Sequence, residues 1–295
     1  MTTPNGVLAG APSIAQPRRG RVWPTLRAIY IIWYRDILRF WRDRMRLLGS
    51  LAQPLLFLIV FGTGLGSALG GAGGFGGGGS TLSYTQFIFP GIIGMSILFS
   101  AIFGAMSIVW DREFGFLKEV LVAPIDRSAV AIGKALGGAT QAMVQGLILL
   151  VLAPVVGVQL TVTSVLLVIV FSFLLAFSLS SLGVLIASRM TSMQGFQVVM
   201  NFLMMPIFFL SGSLFPLQGL PDWMTVLTRI DPASYGMDPL RRVMLEGAGL
   251  PAAALNQLSL TIGDYVLPIW LEAVILLAFG IVVLAFAVRN FRVRD

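Results

Sequence analysis

The stretch WDREFGFLKEVLVAPIDRSAVAIGK, residues 110–134, gathers charge in a chain of which only 11% is charged. Asp111, Arg112, Glu113, Lys118 and Glu119 all precede Pro124, which halts a helix because it lacks an N–H and clashes with the turn before it. Such residues could cradle a phosphate or pair with another protein surface. Cradling needs a loop ending in Gly-Lys-Ser/Thr. Here Gly133-Lys134 is followed by Ala135, and Ser128 stands where the first glycine belongs. A second glycine-rich stretch, GGAGGFGGGGS at 70–80, has no lysine and reads as a flexible linker. Glu272 is the third candidate, the sole acid well inside a long apolar run. An intramembrane carboxyl either carries protons or pairs with a cation. Arg229, Arg241 and Arg242 are the cations within reach of a pairing role.

Whole classes of chemistry are excluded. With no cysteine and no histidine, the chain has no disulfide, no thiolate metal site and no histidine-dependent catalysis. HExxH is absent, and no aspartate lies within an apolar run to build a paired-carboxylate protease. No segment between apolar runs exceeds about 55 residues, well below the ~100–150 of an ordinary soluble domain. ATP and Mg, if used, therefore act on a separate polypeptide, and this chain binds no cofactor.

The elements that position these residues follow from apolar length. The chain is 57% hydrophobic, and a membrane span needs roughly 20 apolar residues. Six runs qualify: Leu47–Gly66, Phe87–Val109, Ala135–Val156, Val162–Ala187, Gln194–Ser213 and Val266–Val288. Basic residues are retained on the cytoplasmic side. Of the 20 Lys and Arg, only Arg229, Arg241 and Arg242 fall on the opposite side of a six-span plan with both termini cytoplasmic. The net charge of +7 thus serves topology, and no nucleic-acid partner is expected. Residues 1–22 read as a disordered cytoplasmic tail, and 23–295 as one membrane domain.

Residues 23–46 read as an amphipathic helix. Leu26, Ile29, Tyr30, Trp33, Ile37, Phe40 and Trp41 share one face, with Arg35, Asp36, Arg39, Arg42, Asp43 and Arg46 opposite. Tyr and Trp favour the membrane interface, although a cytoplasmic packing helix would carry the same pattern. In the external segment 214–265, helix starts are expected at Pro221-Asp222 and just after Asp231-Pro232. These helices are too short to span and would cap the protein or dip into the outer leaflet.

Within the spans, Gln197, Met200, Asn201, Met204, Phe208 and Ser211 share a face of the fifth run. That face either lines a path for bulky amphiphiles or bonds neighbouring helices. Ser96, Ser100, Phe103 and Ser107 form a face of the second run suited to close helix packing or to the same path, and Pro90-Gly91 is a candidate hinge. On the 110–121 wheel Trp110, Phe114, Phe116, Leu117, Val120 and Leu121 form an apolar arc, with Glu113 intruding on it. Such a helix would lie flat under the membrane, as a force-transmitting lever or as a passive loop.

The pattern Glu113-x-Gly115-x-Leu117-x(3)-Leu121-x(2)-Pro124, followed by Arg127 and Gly133-Lys134, resembles the coupling-helix region of type-2 ABC exporter permeases. FFLSGSLFPLQGLPDW and DPASYGMDPLRR, residues 208–223 and 231–242, are similar to that family's external helices, notably in daunorubicin-resistance-type subunits. Ala233 stands where a larger aliphatic is common, and Asp231-Pro232 where Asn-Pro is usual. The resemblance implies an all-α integral membrane fold of six spans, an N-terminal elbow helix, a cytoplasmic coupling helix and short external re-entrant helices before the last span. It further implies ATP-binding-cassette ATPase subunits and a second permease half as partners, and a hydrophobic or amphipathic substrate in the lipid bilayer of the cell membrane. By residue, it implies ATPase coupling at Arg112, Glu113, Gly115, Leu117, Lys118, Glu119, Leu121, Pro124 and Arg127. The substrate path or dimer interface would involve Ser96, Ser100, Phe103, Gln197, Met200, Asn201, Met204 and Phe208. An external gate would involve Pro216, Pro221, Trp223, Tyr235, Arg241 and Glu272. The rival expectation is a proton-coupled secondary transporter that uses Glu272.

Overall fold

A computed structural model of the chain describes residues 22–67, 83–114, 127–215, 217, 219–247, 249–250, 255–256, 258–262 and 265–293. Residues 1–21, where the tail was expected, and 115–126, which hold most of the expected coupling helix, lie outside the described residues. Helices α1 (Val22–Arg42) and α2 (Arg44–Ile59) come first, and a π-helical turn, Val60–Leu65, extends α2. After them come α3 (Tyr84–Gly104), α4 (Met106–Glu113), α5 (Arg127–Leu150) and the single turn α6 (Ala153–Val156). The chain continues through α7 (Val162–Ala187), α8 (Met193–Leu210), α9 (Asp222–Ile230), α10 (Ser234–Gly247) and α11 (Ile269–Val293). Between α10 and α11, β1 (Thr261–Ile262) pairs antiparallel with β2 (Tyr265–Val266).

Helix starts are set by short polar side chains that satisfy the orphan N–H groups of a first turn. Ser83 Oγ accepts from Gln86 N at 3.2 Å while Gln86 Oε1 accepts from Ser83 N at 3.1 Å, a reciprocal capping box on α3. Thr161 caps α7 and Ser192 caps α8 in the same one-sided manner. The two short helices expected on the external side begin where the sequence places them, α9 at Asp222 and α10 just past Asp231-Pro232.

Among the described residues five stretches are long and apolar enough to cross a membrane: Leu47–Leu65, Tyr84–Glu113, Val162–Ala187, Met193–Leu210 and Ile269–Phe291. Helix α5, at 24 residues and about 36 Å, has the length but not the apolarity, since it carries Lys134, Thr140, Gln141 and Gln145. It also begins eight residues before the expected span at Ala135 and breaks at Val151-Leu152. The reason is packing. α5 is sheathed by α1, α3 and α7, so its polar groups meet protein instead of lipid.

α3, α5 and α7 form the centre of the bundle, α11 packs on α7, and α10 lies across α7 and α3. Small residues permit the close approaches. A Cβ on Gly138 would lie 2.4 Å from Ser180 Oγ, and one on Gly183 would lie 3.0 Å from Ile102 O. Ser180 Oγ donates to Ala135 O at 2.9 Å, stitching α7 to α5. α2 and α8 are peripheral. Leu48, Leu56, Ile59 and Val60 on α2, and Val198, Phe202, Met205 and Phe209 on α8, are exposed.

Candidate functional site

α4 ends on two residues of opposite charge that bolt down the turn between α7 and α8. Arg112 Nη1 donates to Ser188 O at 3.1 Å and Met190 O at 2.6 Å, and reaches Ala187 O at 3.4 Å. A cation there meets carbonyls that the end of α7 leaves unpaired. Glu113 Oε2 accepts the N–H of Met193, first residue of α8, at 2.9 Å, an anion at a helix N-terminus. The chain then enters residues 115–126. The expected coupling residues Gly115, Leu117, Lys118, Glu119, Leu121 and Pro124 therefore lie outside the described residues, and Arg127 opens α5, half-buried.

A buried ion cluster joins α1, α4 and α5. Lys134 Nζ lies 3.3 Å from both carboxylate oxygens of Asp36, 3.2 Å from Asp111 Oδ2 and 3.0 Å from Ser107 Oγ. Arg35 Nη2 stands 3.7 Å from each carboxylate. Asp36 is 7% exposed, so its expected place on the polar outer face of the N-terminal helix is corrected: it points inward. Gly133 and Gly137 make room, since a Cβ on either would lie 2.9 Å from Ile32 Cβ and 3.2 Å from Asp36 Cβ respectively. Trp33, expected to face lipid, donates Nε1–H to Thr140 Oγ1 at 3.1 Å. Trp23, Leu26, Tyr30 and Trp41 remain exposed, so α1 has one side on protein and an aromatic side off it. Periodicity sorts residues by polarity, and a partner 98 positions away is invisible to it.

Three of the expected path residues do converge. Ser96, Ser100 and Phe103 of α3 line a cleft of about 160 Å³ with Ser50 and Gln53 of α2 and Gln141 and Gln145 of α5. Gln145 Nε2 donates to Ser50 O and Gln141 Nε2 to Asp36 O, each at 3.0 Å. The α8 face does not hold together as one surface. Met200, Met204 and Phe208 are buried in the core, where Phe208 meets Phe99 edge-on at 6.2 Å, while Gln197 and Asn201 are exposed. Gly91 serves close approach: Ser213 O lies 1.9 Å from where its Cβ would be.

At the opposite end of the bundle, Glu272 is fully buried at the start of α11. Its Oε1 accepts from Arg242 Nη2 at 2.6 Å, and Arg242 also pairs with Asp238 one turn earlier and donates to Leu267 O at 2.6 Å. Of the three arginines open to Glu272, Arg242 is thus its partner. Arg241 donates to Gly212 O and sits 4.9 Å over the Phe87 ring. Burial pulls its pKa down to about 10, against the charge of Asp238, leaving a cation at neutral pH. Tyr235 Oη donates to Arg229 O at 2.7 Å. Pro221 caps α9, Trp223 is exposed, and Pro216 lies outside the described residues. The Asp231 carboxyl, in the α9–α10 turn, is pushed up to about 7 by burial, although the Ala233 N–H it accepts opposes this. Sequence reasoning missed the Arg112, Lys134 and Asp231 arrangements. Only the presence of charge beside long apolar runs pointed to them.

A helical bundle of apolar spans with charged helix ends bolted together at one side defines a multi-pass membrane protein. The family of ABC-2 type transporters matches residues 27–245, and the chain belongs to that family. It is a membrane permease subunit of an ABC transporter, not an enzyme, in a family that associates with an ABC ATPase subunit. Among similar proteins are ycf38 of Cyanophora paradoxa, 27% identical over 79% of this chain and 80% of the relative, and nodulation protein J of Rhizobium leguminosarum bv. trifolii, 29% identical over 76% and 80%. The inner membrane transport permease YadH of Escherichia coli K12 is 26% identical over 88% of this chain and 95% of the relative.

Proposed function

We propose that this permease exports a hydrophobic or amphipathic substrate (a drug, a lipid or a lipid-linked glycan) from the cytoplasm, paired with a second permease half. ATP and Mg act on the partner ATPase. The chain crosses the cell membrane six times with α5 as the third span, α1 as an elbow helix at the cytoplasmic surface and both termini in the cytoplasm. The stretch 111–122 receives the ATPase, and α9 and α10 cap the external side.

One observation carries this reading: Arg112 and Glu113 hold the turn between α7 and α8. Any displacement of the stretch that follows Glu113 is thereby passed to three helices at once. A passive loop needs no such attachment. Proton-driven transport through Glu272 loses ground, because the family is an ABC permease family and the carboxylate is engaged by Arg242.

The test is Glu113→Ala in the full chain, expressed with its cognate ATPase and reconstituted in vesicles. Normal insertion with lost ATPase assembly or lost nucleotide-driven export is expected. Unchanged export would refute the lever.

A further inference from the structure

We propose that the cleft between α1, α2, α3 and α5 binds an uncharged hydrogen-bonding headgroup, one bearing hydroxyls or amides, of an amphiphile that enters beside α2. The inference rests on reading the chain as a permease for amphiphiles and adds the place and polarity of the headgroup site. Six polar walls, Ser50, Gln53, Ser96, Ser100, Gln141 and Gln145, surround about 160 Å³ without one ionised group among the described lining residues. That space is about ten times the ~15 Å³ that a single water requires.

Ser96 supplies the independent sign of a missing partner. It is 1% exposed, lines the cleft, and its Oγ has no hydrogen-bond partner. A buried hydroxyl left unpaired costs free energy, so a ligand hydroxyl or amide satisfies it once the Ser96 side chain rotates toward the cleft. Ser172 is orphaned as well, but it does not line the cleft.

The walls also sort the ligand by charge. Among the described lining residues a phosphate would be desolvated with no cation to meet it, and a quaternary amine would find no anion. Phe40, Met95, Phe99 and Phe103 supply an apolar side for the first methylenes of a chain. Gln53 is exposed at the rim on α2, whose peripheral place gives an acyl tail somewhere to lie. A second chamber of about 440 Å³ shares Phe40, Phe103 and Gln141 as walls and carries Asp36, Arg39 and Asp43. The charged chamber and the uncharged cleft are therefore neighbours, and only the cleft holds the unpaired hydroxyl.

The test uses the full chain in phosphatidylcholine nanodiscs. The probe is a monoacylglycerol with a photoreactive diazirine near the ester, compared with probes of the same chain bearing a phosphate or a trimethylammonium head. The diol probe should label peptides holding Gln53 and Ser96–Phe103. Labelling should fall about tenfold in Ser96→Ala/Gln145→Leu, the effect of losing roughly one buried hydrogen bond. Gln53→Leu, on the exposed rim where folding is not at stake, should reduce it too. Competition by glycerol alone identifies a soluble polyol as the source of the headgroup chemistry; competition only by unlabelled monoacylglycerol identifies a lipid. Equal labelling by the charged probes, absence of label from the cleft peptides, or indifference to both variants overturns the site. Binding needs no ATPase, so lost labelling with intact nucleotide-driven export defeats the cleft alone, while intact labelling without such export defeats the exporter reading alone.

Discussion

Lys134 Nζ lies 3.2 Å from Asp111 Oδ2, and this contact makes the start of α5 and the end of α4 one electrostatic unit, with Asp36 of α1 as the third member. A buried pair contributes little against a well-packed apolar substitute, but removing one partner strands the other at about 3–5 kcal/mol. Lys134→Met leaves two buried acids with Arg35 as the one remaining cation in reach among the described residues. It should lower the thermal midpoint of the detergent-solubilised chain sharply, and Asp36→Asn with Asp111→Asn in the same background should recover most of the loss. No recovery would show that the lysine acts by packing alone.

Arg112→Ala removes the donor that reaches three carbonyls at the end of α7. A cost of ~1–2 kcal/mol is expected from the lost charge-assisted bonds. Hydrogen exchange should quicken in residues 188–193 and leave α3 unchanged. Uniform exchange across the bundle would count against a local bolt.

Glu272→Gln keeps an acceptor for Arg242 and removes the charge. Nucleotide-driven export should persist within a few fold, because the carboxylate's role is to hold α11 to α10. Abolished export with normal assembly would restore a proton-carrying role.

Asp231 gives the α9–α10 turn a pH dependence. Its folded-state pKa of about 7 lies above the ordinary carboxyl value of 3.8. The folded state therefore favours the protonated form. The stability this gives is complete below about pH 4, declines as pH rises, and is gone above about pH 7. Burial with an unpaired Oδ2 is the cause. Asp231→Asn, which retains the acceptor for Ala233 N–H, should raise the midpoint at pH 8 and change little at pH 4. An equal rise at both pH values would exclude this titration.

Gly91→Ala places a Cβ 1.9 Å from Ser213 O, so backbone must move; about 1–3 kcal/mol of overpacking is expected. Gly49→Ala on α2 meets nothing within 4 Å and should stabilise by ~1 kcal/mol through helix propensity. Similar midpoints for the two variants would show that the α3–loop contact is loose.

Apolar run length foretold the long apolar helices well: Val162–Ala187 is matched residue for residue by α7, and α9 and α10 start at the anticipated Pro-Asp and Asp-Pro signals. At α5 it located a helix but not its bounds, because a helix enclosed by protein need not be greasy and can start well before the apolar run. Charge type without partner also misled, turning Asp36 outward and leaving Lys134 just outside the third apolar run when it is the hub of a buried cluster. On α8, a wheel grouped Gln197 and Asn201 with Met200 and Met204, but the bundle divides them, since only tertiary packing sets how a helix is rotated. The cleft was half visible, as a serine stripe on α3 whose glutamine counterparts lie about 45 positions later.

The Asp36–Lys134 bridge bears on how the protein is made. The ribosome delivers the elbow acid nearly a hundred codons before the ammonium that balances it. During that interval two hydrophobic segments must enter the bilayer while Arg35, half in solvent and 3.7 Å from the acid in the final arrangement, is the one cation of the cluster already made. A nascent chain arrested before codon 134 should therefore leave its amino-terminal helix undocked and open to proteases.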